Sequence, residues 1–266
     1  MTEHRLLSRV APAALAMLLI LGPSVGARAD SASMSSAIPT ASGPVHVVPV
    51  GGALPSDAEC ADRVVPTAEN RPENIPFNNT RGSSPNDENP LVTGNFVGTT
   101  DEIIQWASCK WGMDPTWARN QAALESFWIH TTIADFATDP AVCLPGHPIG
   151  VDGRPGECPE ATGLLQIRIQ YHPTAFEDDN AIRSTAYNAD YAWSIWRRCF
   201  EGEYTWLNEV ERGEGATYAA GDGLGCMGVW FSGRWYTEAA VGYMDRLPTA
   251  GSGIPMPAPA PVSTAG

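Results

Sequence analysis

Six residues, Ile182, Ala186, Ala189, Trp193, Trp196 and Phe200, recur at spacings of four, three, four, three and four. That is the period of one face of an α-helix, and a strand cannot use it because its faces alternate at every residue. A stripe with two tryptophans and a phenylalanine must be covered by neighbours, so the chain is predicted to fold as helices packed around this one. Asp179 is expected to cap it, and Arg183, Arg197 and Arg198 are read as charges on its solvated face. Other helices show in their caps. Thr99-Thr100-Asp101-Glu102 is a capping box, followed by Ile103, Ile104 and Ala107, with Gly112 as the stop. Asp114-Pro115 opens a helix expected over 115–128, with Trp117, Gln121, Leu124 and Trp128 along one face. Ala240, Tyr243, Met244 and Leu247 mark a last helix, which Pro248 should stop. Strand signals are weak, and any sheet should be small and lie in 130–165. The fold class is therefore mainly α, with at most a small β-hairpin element and disulfides.

The ends read differently. His4, Arg5 and Arg9 precede an apolar run, Val10 to Leu21, and Ala27-Arg28-Ala29 offers a small-residue cleavage site. Residues 1–29 are thus predicted to be a signal peptide, which implies a protein exported to the cell envelope or secreted. The apolar run is too short to span a bilayer, and no integral membrane span is expected. Residues 30–56 are rich in Ser, Ala, Pro and Gly and are expected to be a flexible linker. Residues 248–266 read as a disordered Pro/Ala-rich tail. All nine tryptophans fall between Trp106 and Trp235, which puts the packed domain at 57–247.

Cys60, Cys109, Cys143, Cys158, Cys199 and Cys226 all follow the cleavage site. An even set in an exported chain reads as disulfides. Sequence alone does not choose among the connectivities. The expected set is Cys143–Cys158 across one loop, Cys199–Cys226 across another, and Cys60–Cys109 tying the N-terminal arm down. The chain has no C-x-x-C or H-E-x-x-H and its histidines are scattered, so no metal and no cofactor is expected. A net charge of −14, with Lys110 as the only lysine, argues against nucleic acid, whose backbone needs clustered cations.

Glu125 lies one position off the apolar stripe of its helix, beside Leu124, Phe127 and Trp128. A carboxyl among apolar groups keeps its proton to higher pH, as a general acid requires. Gln166 sits alone in the apolar run Gly163-Leu164-Leu165-Gln166-Ile167, where its amide must find partners.

Together these segments resemble the soluble lytic transglycosylase family, which is related to goose-type lysozyme. Glu125-Ser126-Phe127-Trp128 is similar to the family's first motif, E-S-x-F, and Gly163-Leu164-Leu165-Gln166-Ile167 to its second, G-L-M-Q-I. Asn180, Ser184 and Tyr187 fall on the third, N-x-x-x-G-x-x-Y. Val229-Trp230-Phe231-Ser232-Gly233 stands where the fourth, A-Y-N-x-G, belongs. The resemblance covers about 99–247. The stretch from Glu125 to Gly163 is longer than the family's usual spacing and reads as a disulfide-closed insertion. Ala186-Tyr187-Asn188 also spells A-Y-N, but within the long helix, and is read as coincidence.

The resemblance implies a lysozyme-like α+β fold and a monomer acting on peptidoglycan glycan strands. It implies cleavage of the β-1,4 bond between N-acetylmuramic acid and N-acetylglucosamine. Glu125 would be the single acid/base, Ser126 would help position its carboxyl, Gln166 would hold substrate, and Tyr187 and Trp230 would line the cleft. Two alternatives stay open. One is a lysozyme- or chitinase-type hydrolase on the same fold, with a second carboxylate from Asp135, Asp139, Asp152, Glu157 or Glu160. The other is a non-catalytic protein that binds cell-wall glycan.

Overall fold

The computed structural model of the protein describes residues 37, 38 and 40–258. The export signal expected at 1–29 and the last eight residues of the expected tail lie outside them. Among the described residues the order is α1 (Asp57–Arg63), α2 (Ile75–Asn78), α3 (Thr100–Lys110), α4 (Pro115–Ser126), β1 (Ile133–Ala137), β2 (Cys158–Thr162), β3 (Ile167–Arg168), α5 (Asn180–Arg183), α6 (Thr185–Phe200), α7 (Gly223–Ser232) and α8 (Glu238–Ala250). Helices dominate. The sheet is one antiparallel trio in the order β1-β2-β3, with Ile133 opposite Thr162 and Thr162 opposite Ile167.

α6 is the axis of the molecule. Its Ala186, Ala189, Trp193, Trp196 and Phe200 are all buried, with α3 and α7 packed against it. A helix buried on nearly all sides must also partner its polar groups. Asp190 does so by pairing with Lys110 at 2.8 Å and accepting from the Trp111 indole at 2.7 Å. The single lysine is therefore an interior residue, also bound to Asp57 of α1 at 2.8 Å.

The capping box at Thr99 and the Asp114 cap with Pro115 behind it form as the sequence predicts. The helix expected from Asp179 to Phe200 breaks instead at Ser184, which is extended and caps α6 by accepting from the Tyr187 amide. Asp179 is left-handed and makes no side-chain cap. Arg197 is not a solvated charge. It is 2% exposed, donates to the Val48 and Pro49 carbonyls, and pairs with Glu201. α8 carries Pro248 inside it and runs to Ala250.

The expected linker is packed from residue 37 onward. Ile38, Ala41 and Val45 are buried, the Val47 amide donates to the Gly112 carbonyl at 2.9 Å, and the Asp114 amide donates to Val45. The expected tail likewise holds structure to residue 258, with Ile254 buried and Pro255 opposite Ala37. An extended segment docks through backbone hydrogen bonds and a few spaced apolar residues, so it leaves no helical or strand period in the sequence.

The three disulfides are Cys60–Cys109, Cys143–Cys158 and Cys199–Cys226, the expected set. They fit an oxidising, exported environment. No helix among the described residues is long and apolar enough to cross a membrane.

Candidate functional site

Glu125 stands in the last turn of α4. The chain then turns sharply, because Phe127 and Trp128 both take left-handed backbone, at φ 53° and 65°. Trp128 is driven into the core, where its indole donates to the Arg119 carbonyl at 2.9 Å. Phe127 is thrown out and is 66% exposed. This turn leaves Glu125 half-buried against α8, where the Tyr243 hydroxyl donates to its Oε1. Burial is the largest influence on the carboxyl, and the Asp135 charge adds to it. Tyr243, Arg246 and the Trp230 side chain pull the other way, and the balance raises the Glu125 pKa to about 7. The negative end of the α4 dipole also disfavours an anion there. A group poised at that value can both give and take a proton near neutral pH.

The turn from β2 to β3 is the Gly163–Gln166 segment, held by α4 on one side and α6 on the other. Ser126 Oγ donates to the Leu164 carbonyl at 2.8 Å, so Ser126 fixes this turn rather than the Glu125 carboxyl. Asn188 accepts from the Leu165 amide at 2.9 Å and donates to the Ala181 carbonyl at 3.1 Å. Gly163 must be glycine: its φ is 90°, and a Cβ there would lie 2.1 Å from Asn188 Nδ2. The Asn188 of the Ala186-Tyr187-Asn188 triplet is thus part of the frame behind the second motif. Gln166 is itself left-handed, at φ 51°. Its Nε2 donates to the Gly163 and Thr132 carbonyls at 2.8 and 3.0 Å, while its Oε1 has no partner. The amide is thereby turned onto the backbone around its own turn, with its Oε1 enclosed by the protein.

Trp230, on α7, stacks on His172 with centroids 5.6 Å apart, and Tyr191 meets that histidine edge-on. Burial holds the His172 pKa down to about 4, so the ring is neutral in this stack at ordinary pH. Tyr187 lies one step further back. It is 1% exposed, stacks on Tyr191, and its hydroxyl accepts from Asn86 at 3.1 Å. Its contacts tie it to the segment before α3 and not to Glu125. The structure therefore brings Glu125, Ser126, the Gln166 turn and Trp230 together, and leaves Tyr187 as support behind them.

Tyr243, Arg246 and His172 carry no signal of a site in the sequence. Tyr243 shows only as a member of an apolar stripe, and a stripe does not separate a tyrosine buried for bulk from one buried for its hydroxyl. Phe231 stacks on Tyr243 at 4.8 Å, and Arg246 lies over both rings. His172 enters from a loop with no motif of its own.

A cavity of about 450 Å³, lined by Val48, Val65, Cys109, Met113 and Arg119 among others, does not include Glu125. Its one buried acid, Asp101, is neutralised by Arg119 at 2.6 Å, so it offers no reactive group. Among the described residues no cluster of three His, Cys, Asp or Glu side chains forms a metal site. No family model matches the chain, and no curated protein or solved structure matches it either.

Proposed function

We propose that the protein is an exported peptidoglycan lytic transglycosylase with a lysozyme-like fold and Glu125 as its one acid/base. The observation that carries this reading is the carboxyl of Glu125, raised to about 7 at the end of α4 and held by Tyr243. In this mechanism the protonated Glu125 gives its proton to the glycosidic oxygen as the bond to the muramoyl C1 breaks. The carboxylate then takes the proton of the same sugar's 6-hydroxyl, whose oxygen closes onto C1 as an anhydro ring. No water is consumed. The ring closure is intramolecular, so proximity supplies much of the rate without a second carboxylate to hold a nucleophile. Trp230 and the exposed Phe127 and Phe231 offer flat faces for pyranose rings, with the Gln166 turn held beside Glu125 through Ser126.

A second reading is an inverting hydrolase, and one observation favours it. Asp135 lies close enough to raise the Glu125 pKa, and it takes left-handed backbone inside β1 while Arg168 Nε holds it at 3.4 Å. A second carboxylate at roughly 6.5–9.5 Å could position a water.

The test is release of soluble fragments from purified peptidoglycan by the protein and by its Glu125→Gln variant. The reading expects the variant to lose about a thousandfold or more in turnover, the scale of a lost general acid. Wild-type turnover in the variant would remove Glu125 from the chemistry.

A further inference from the structure

α8 presents more than Tyr243 to the site. Arg246 is one turn further on and shares the same face of the helix. Its guanidinium lies 5.9 Å from the Phe231 ring and 6.0 Å from the Tyr243 ring, and those rings are themselves stacked. The two rings stand at the outer reach of a cation–π contact and give the exposed side chain an apolar backing. Its Nε donates to the Gly242 carbonyl at 3.1 Å, and its two terminal nitrogens make no hydrogen bond among the described residues. Arg246 has no carboxylate within 4 Å among the described residues, as is true of Arg63, Arg71, Arg81, Arg183, Arg212 and Arg234; what sets it apart is its place beside Tyr243, the partner of Glu125, and its pull on the Glu125 carboxyl. In a chain with 30 acidic and 16 basic residues, this cation is braced and left free beside the acid of the site.

We propose that Arg246, braced on Phe231 and Tyr243, receives a carboxylate carried by the glycan next to the Glu125 cleavage point. The inference rests on the glycan-cleaving reading and adds the residue that reads the charge of the substrate, favouring a carboxylate-bearing glycan over a neutral one. The planar fork suits a carboxylate bidentately. Phe231, 49% exposed, gives the adjoining sugar an apolar face. A local cation is also what a net-negative protein needs to accept an anion.

The carboxylate can belong to the lactyl ether of the sugar or to its stem peptide, and the substrates separate the two. Initial rates would be measured on peptide-free muramoyl tetrasaccharide, on its peptide-bearing form, on that form with the peptide carboxylates amidated, and on chitotetraose. The wild type should prefer the carboxylate-bearing glycans. Arg246→Gln should lower the ratio of kcat/KM for those glycans over chitotetraose by about tenfold, through KM, the low end for one charge-assisted contact at an exposed site. Arg246→Lys should recover part of it. An unchanged ratio in Arg246→Gln overturns the inference. Binding to the Glu125→Gln protein, followed by tryptophan fluorescence, keeps the two readings apart. If the wild type cleaves none of these glycans, the cleavage reading fails, while tighter binding of muramoyl tetrasaccharide than of chitotetraose that depends on Arg246 still supports this one. Equal binding with and without Arg246 overturns it.

Discussion

Replacing Glu125 with Gln should stabilise the protein, and by an amount that depends on pH. The folded state raises this carboxyl from 4.5 to about 7, chiefly by burying it. A raised carboxyl favours folding most when protonated. Its stabilising contribution is complete below pH 4.5, falls as pH rises, and is gone above about 7. At 1.36 kcal/mol per pH unit, the full loss is about 3 kcal/mol, a ceiling because the side chain is only half-buried. Gln keeps the shape and leaves the Tyr243 hydroxyl an oxygen to donate to, but does not titrate. The two proteins should therefore unfold alike at pH 4, and the variant should melt higher at pH 8, by up to roughly 6–12 °C for a domain of this size. Calorimetry across that range reads the difference directly. A gap independent of pH, or a variant less stable at pH 8, would refute the idea that the site holds a strained acid.

Other outcomes are equally specific. Gly163→Ala should cost roughly 3 kcal/mol or more in chemical denaturation, since a Cβ would meet Asn188 on backbone at φ 90°; a loss under 1 kcal/mol would mean the β2–β3 turn is not locked as described. Removing disulfides pairwise with Ser should cost about 3 kcal/mol for Cys143–Cys158 and about 4 kcal/mol for Cys60–Cys109, in the order of the 15 and 49 positions they enclose; the reverse order in urea melts would contradict it. Burial lowers His130 and His172 to about 4, so the stability they confer is whole above 6.5 and is lost as pH falls toward 4. Melts of the Glu125→Gln protein, in which the opposing titration is absent, should show that acid loss, and a flat profile over that range would refute it.

Much of the scaffold was legible before the structure. Caps at Thr99 and Asp114 and the stripe through Trp193 mark helices because their signals are local. The pairing Glu125-Ser126 with Gly163–Gln166 was legible as a motif, yet the role of Ser126 was not: its hydroxyl reaches Leu164, a partner that only the fold supplies. The arm around Ile38 and Val45 was hidden because docked extended chain has composition but no period. Tyr243, Arg246 and Asp135 come from two separate parts of the chain, and their shared address at Glu125 is a tertiary fact, as is the stacking of His172 on Trp230. Asn188 is not legible because a motif-like triplet inside a helix says nothing about which backbone it will hold.

The central claim is that Glu125 both breaks the glycan and lets its own sugar close the ring. The most direct measurement is mass spectrometry of the glycan ends left when the purified protein digests peptidoglycan. The account predicts 1,6-anhydromuramoyl ends from the wild type and none from Glu125→Gln. Reducing muramoyl ends, each heavier by one water, would contradict it and transfer the weight to Asp135 and hydrolysis.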